Sequence, residues 1–98
     1  MKFSVLLPTR NGGKVLGACM NSVLNQPYED MELIVSDNAN TDESPAVIAS
    51  FSGDPRLKVI RNEKSVSVTE NWNNALYKSS GDYVLMIGDD DFLLPGYF

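Results

Sequence analysis

Four short apolar runs alternate with segments whose apolar residues recur every three or four positions, and this alternation constrains the fold more than any other feature of the chain. The runs are Lys2 to Leu7 closed by Pro8, Glu32-Leu33-Ile34-Val35-Ser36, Leu57-Lys58-Val59-Ile60 and Tyr83-Val84-Leu85-Met86-Ile87, each of strand length. Between the first two, Leu16, Met20 and Leu24, flanked by Val15, Cys19 and Val23, predict a helix. Asn11-Gly12-Gly13 supplies its turn and cap, and Gln26-Pro27-Tyr28 ends it because proline cannot continue a helix. A second helix is predicted to begin near Ser44-Pro45, to bury Val47, Ile48 and Phe51, and to break at Ser52-Gly53-Asp54-Pro55. After the polar loop Arg61-Asn62-Glu63-Lys64, a third places Val68, Trp72, Ala75 and Leu76 on one face, and Gly81 ends it. Strand and helix alternating in this way predict an α/β fold, a parallel sheet with right-handed crossovers, helices on both faces and strands buried on each side. The 98 residues, 43% of them hydrophobic, suffice for one domain.

In sheets of this kind ligands lie beyond the carboxyl ends of the strands, at the crevice where strand order reverses. Those ends carry Pro8-Thr9-Arg10-Asn11, Asp37-Asn38, Arg61-Asn62 and Gly88-Asp89-Asp90-Asp91. Polar loops are ordinary, and any one of these clusters alone reads as a solvated turn. The acidic triplet gives their convergence meaning. Only Gly88 separates it from the last apolar run, so a buried strand delivers adjacent carboxylates that must take up a proton or a cation. Oxygen-only ligands beside a glycine suit Mg2+ or Mn2+, whereas an exposed acidic turn capping the next helix is the plain alternative.

Several classes of function are excluded by what the chain lacks. Eight Lys and Arg against 13 Asp and Glu give a net charge of -5, and the scattered basic residues form no face for nucleic acid. No apolar stretch has the length of a secretory core or a transmembrane segment, which predicts a cytoplasmic protein. Histidine is absent, so histidine-centred zinc and Ser-His-Asp chemistry are excluded, and catalysis must run on carboxylates, amides or a metal. Cys19, the single cysteine, has no internal disulfide partner and is spaced with Leu16, Met20 and Val23 as a packed core thiol. Trp72 is spaced with Val68 and Leu76 for core packing rather than sugar stacking. Asn71, Asn73 and Asn74 read as a polar helix face, Asn71 being the one exception to watch, and Arg61 and Lys64 as solvated loop charges rather than phosphate ligands.

Taken in order, Ser4-Val5-Leu6-Leu7-Pro8-Thr9-Arg10-Asn11, Ser22-Val23-Leu24-Asn25-Gln26, Glu32 to Asp42, Gly81-Asp82-Tyr83-Val84 and Asp89-Asp90-Asp91 with Pro95 make the whole chain resemble the nucleotide-binding half of a family-two glycosyltransferase with the Rossmann-like GT-A fold. The resemblance implies transfer of a sugar from a nucleoside diphosphate sugar, UDP-linked, to an acceptor hydroxyl, metal-dependent and inverting. It implies that Pro8 and Thr9 pack against the base with Arg10 nearby, and that Asp37 accepts a hydrogen bond from the uracil imide. Asp89 would meet the ribose, Asp90 a divalent Mn2+ or Mg2+ ion, and Asp91 would serve as an outer or capping acid. The sequence departs from the family pattern at Gly88, where an acid is common, at Asn38, where aspartate is frequent, and at Asn40, where serine is common.

In such enzymes the base that deprotonates the acceptor lies well beyond the metal motif. The resemblance therefore implies a truncated donor half over residues 1–98, inactive by itself, with the acceptor-binding half absent and an exposed edge available for homodimerisation. A nucleotide- and metal-binding module without catalysis is the alternative. A phosphoacceptor signalling domain fits poorly, because it requires an acid pair after the first strand, where this chain has Pro8-Thr9-Arg10.

Overall fold

The computed structural model describes residues 1–94, in which β1 (Phe3–Thr9), β2 (Met31–Asp37), β3 (Leu57–Arg61) and β4 (Tyr83–Met86) form one sheet in the order β3-β2-β1-β4. All pairings are parallel, with Phe3 opposite Met31 on one side and Tyr83 on the other. The crossovers are α1 (Gly13–Leu24), α2 (Ser44–Ala49) and α3 (Val68–Lys78). Strand side chains alternate between faces. Val5, Leu7, Leu33 and Val35 therefore share a core with Leu16, Cys19, Met20 and Val23 of α1 and Ile48 of α2, while Leu6 and Ile34 pack under Ala75 and Trp72 of α3. Helices on both faces of a parallel sheet are the arrangement that the alternation predicted. Among the described residues, no helix is long and apolar enough to cross a membrane.

Three details differ from expectation. Pro8 does not close β1, which continues through Thr9. Ile87 N–H donates to Leu6 C=O at 3.0 Å, so Pro8, of the same parity as Leu6, faces the side on which β4 has already ended at Met86, and its missing N–H interrupts no ladder.

The strand before the acidic triplet is not buried. Val84 and Met86 are 45% and 52% exposed, because α3 lies over β1 and β2 and β4 has no outer neighbour among the described residues. Finally, α3 does not bury Val68, which is 72% exposed, nor fully cover Leu76. It buries Asn71 and Ala75, because Asn71 is drawn onto β2: Ser36 Oγ donates to its Oδ1 at 2.6 Å and its Nδ2 donates to Ser36 C=O at 3.2 Å.

At the amino-terminal end of the sheet, Glu32 joins the strands. Its side chain is buried and accepts from Lys58 Nζ at 2.5 Å, Ser4 Oγ at 2.6 Å and Ser80 N–H at 2.6 Å. Burial pushes its pKa up, but these donors prevail and hold it at about 2. Gly81 follows without space for a side chain, since a Cβ there would lie 2.7 Å from Ser4 N.

Candidate functional site

The chain builds β1, β2 and β3 in one direction across the sheet and then places β4 on the other side of β1. The crevice of this topology therefore opens over the tips of β1 and β4. Beyond β1 the backbone turns through Asn11 and Gly13, with φ of 53° and 57°. Beyond β4 comes the acidic turn, and the two segments touch. Thr9 Oγ1 donates to Asp89 Oδ2 at 3.0 Å. Gly12 leaves room for that contact, because a Cβ there would stand 2.7 Å from Asp89 Oδ2 and 2.9 Å from Thr9 Oγ1.

The acidic triplet divides into separate tasks. Asp91 N–H donates to Gly88 C=O at 3.0 Å while Gly88 N–H donates to Asp91 Oδ2 at 3.0 Å, so Asp91 closes the turn with its own side chain. Asp89 is engaged by Thr9. Asp90 is exposed and forms no hydrogen bond or ion pair among the described residues. Among those residues no three acidic, cysteine or histidine side chains converge on one metal-sized point. The donor set nonetheless fits Mg2+ or Mn2+, which bind through one or two carboxylates and leave other positions to water and phosphate oxygens.

The tip of β2 contrasts with this. Asp37 is 2% exposed; its Oδ1 accepts from Asn40 N–H at 2.9 Å and its Oδ2 from Arg61 Nη1 at 2.9 Å. Asn38 pairs with the backbone of Val66 through both ends of its amide, at 2.9 and 2.8 Å, and Ala39 adopts φ of 52°. Arg10 reaches across to Ala39 C=O at 3.1 Å. Asn40 Oδ1 accepts from Asn11 N–H at 2.6 Å, which fixes the amide's orientation and leaves its buried Nδ2 without a partner among the described residues.

Of the residues singled out by sequence, the structure brings Thr9 and Asp89 together and places Arg10 over the loop that Asp37 anchors. Thr9 links the two tips, paired in register with Asp37 and hydrogen-bonded to Asp89. Pro8 is half-buried beside it, and Asp90 stands at the open end of the acidic turn. Pro95 lies outside the described residues. Arg61 is not a solvated loop charge; it neutralises buried Asp37. Its signal was available in the parallel register, which sets Asp37 opposite Arg61. Asn62, read only as part of the rim, ties it to α3: its Nδ2 donates to Asn38 Oδ1 at 3.3 Å and to Asn71 Oδ1 at 3.1 Å. Cys19 is the inert core thiol expected; burial, with Asp89, Asp91 and Asp90 nearby, pushes it up to about 12.

A concavity of about 860 Å³ lies at the opposite end of the sheet, lined by residues such as Gln26, Pro27, Asp54 and Arg56. Its guanidinium is spent on the backbone carbonyls of Leu24, Gln26 and Tyr28 and on the Asp54 carboxylate. That hollow is a helix C-terminus closed by a cation, not a place for chemistry.

The family model described as "Glycosyl transferase family 2" matches residues 4–98. The Campylobacter jejuni GalNAc(5)-diNAcBac-PP-undecaprenol beta-1,3-glucosyltransferase is 36% identical over 97 residues, covering 97% of this chain and 31% of that protein. The Escherichia coli UDP-Glc:alpha-D-GlcNAc-diphosphoundecaprenol beta-1,3-glucosyltransferase WfgD is 32% identical over 88 residues, covering 90% and 34%. Among solved structures, S. aureus TarS 1-349 in complex with UDP-GlcNAc superposes with a TM-score of 0.87 at 30% identity, over 94% of this chain and 27% of that one. The chain thus spans about a third of the length of these two curated relatives.

Proposed function

The chain belongs to glycosyl transferase family 2, and on that premise we propose that it forms the donor-binding unit of an enzyme moving a sugar from a nucleoside diphosphate sugar, UDP-linked, to an acceptor hydroxyl. The observation that carries this reading is the junction at the switch point, where Thr9 holds Asp89 and Asp90 remains unshared among the described residues. The relatives' names support it, since TarS is complexed with UDP-GlcNAc and WfgD uses UDP-Glc.

In this reading Pro8, Thr9 and Arg10 border the base, and Asp37 accepts the imide N–H through lone pairs that Asn40 and Arg61 leave free. Asp89 meets the ribose and Asp90 the divalent ion, Mn2+ or Mg2+, with Asp91 retained in its turn. When bound, that ion supplies positive charge against the departing diphosphate. The reaction inverts the anomeric centre, which calls for a carboxylate base across the sugar from the leaving group. We expect that base to lie outside residues 1–98, and those residues alone to be inactive in transfer. The working compartment is the cytoplasm.

Thermal unfolding with and without UDP and MnCl2 tests the reading. At a hundredfold excess over Kd, UDP with Mn2+ raises the midpoint on the order of 10 °C, and Asp90→Ala removes the shift. Equal stabilisation with and without Mn2+, or in Asp90→Ala, contradicts it.

A further inference from the structure

The motif Ser22-Val23-Leu24-Asn25-Gln26 has no part in the site as described, yet its polar side chains reach the segment that carries the acidic turn. Cys19, Ser22 and Gln26 follow the spacing i, i+3, i+7, so they form one stripe along α1 and the turn after it. Cys19 Sγ donates to Gly88 C=O at 3.4 Å, immediately before the triplet. Ser22 Oγ accepts from Leu93 N–H at 2.9 Å, two residues after it, while donating to Cys19 C=O at 2.7 Å. Gln26 Nε2 donates to Leu94 C=O at 2.8 Å and to Ser22 C=O at 3.2 Å. Ser22 and Gln26 are thus bonded both to the helix and to the segment beyond β4, and Leu93 packs against the main core.

The geometry points to a positioning role for Ser22 and Gln26, supported by Cys19: one stripe of α1 fastens both ends of the acidic turn and thereby fixes where the Asp90 carboxylate stands. Three adjacent carboxylates repel one another, so a turn left to itself would spread them. Here Thr9 holds Asp89, Gly88 holds Asp91, and the α1 stripe holds the backbone on either side. Asp90 is exposed and, of the three, alone has no hydrogen-bond partner among the described residues. Groups that orient metal ligands without touching the metal commonly cost 10–100-fold in affinity when removed. What the turn is for rests on the donor-site reading above; the tether itself rests on the hydrogen bonds.

The test uses Ser22→Ala, Ser22→Thr and Gln26→Met in the full chain, the last keeping bulk and charge while losing the donor. Amide hydrogen exchange reports the tether directly. In Ser22→Ala and Gln26→Met, exchange at Asp91 and Leu93 rises about tenfold, while Met20 and Val23 within α1 keep wild-type rates. With UDP saturating, the Kd for Mn2+ rises roughly 10–100-fold, the Kd for UDP without metal is unchanged, and Ser22→Thr restores both. Unchanged exchange at Asp91 and Leu93 overturns the tether. Faster exchange with unaltered Mn2+ affinity, or equal losses with and without metal, overturns the positioning role while leaving the donor site in place. A wild-type chain that takes up UDP without regard to Mn2+ overturns the donor-site reading and the positioning role together, whatever the exchange rates.

Discussion

Strands β2 and β4 are both apolar runs with carboxylates, yet they use those carboxylates in opposite ways. Every residue of β2 is buried, and its two acids, Glu32 and Asp37, each accept from donors gathered around them. On β4, half-covered and at the sheet's edge, the acids stand beyond the last residue, two of them paired and one unshared among the described residues. An interior strand cannot keep a charge without donors gathered around it. An edge strand can, because water solvates the carboxylate until a ligand replaces it. Position in the sheet thus separates acids that fold together with their donors from acids that face water.

The largest effect that would break this contrast is expected at Glu32. Replacing it with alanine strips the acceptor from Lys58, Ser4 and Ser80 and is predicted to cost about 3 kcal/mol in urea unfolding. The same residue sets an acid limb. Its folded pKa, about 2, lies below the ordinary value of 4.5, so its stabilising contribution is complete above pH 4.5 and disappears as pH falls towards 2. Glu32→Gln should flatten the stability profile across that window; an unchanged profile would mean that Glu32 is not held ionised.

Arg61→Ala comes next, at about 2 kcal/mol, less than for a sealed pair because the guanidinium is half in water. Thr9→Val, which keeps the shape and removes one hydrogen bond at the junction of the two tips, is predicted to cost about 1 kcal/mol. Asp90→Ala is predicted to stay within about 0.5 kcal/mol of wild type. An Asp90 variant as unstable as the Arg61 variant would erase the distinction between the two regions.

Much of this was legible from the residues. The helical spacing of Leu16, Met20 and Val23 and the β-rich runs sufficed for the elements, the parallel sheet and the two-faced packing, because periodicity is a local property. That β4 would lie at an edge and uncovered was not legible: Tyr83-Val84-Leu85-Met86 is as apolar as the core of β2, and only the strand order and the placement of α3 over β1 and β2 decide it. The inward turn of Asn71 was likewise hidden, since it depends on Ser36, 35 residues away. At the site, the acidic turn announced itself, whereas the pairing of Asp37 with Arg61 required the register between neighbouring strands.

The central claim is that the acids beyond β4 accept a divalent ion together with a donor diphosphate, with Asp90 as the open ligand. Electron paramagnetic resonance of Mn2+ titrated into the chain reads this directly. The free-ion signal should fall in the presence of UDP for the wild type and persist for Asp90→Ala at the same UDP concentration. Identical Mn2+ uptake by the two proteins, or uptake indifferent to UDP, would contradict the account.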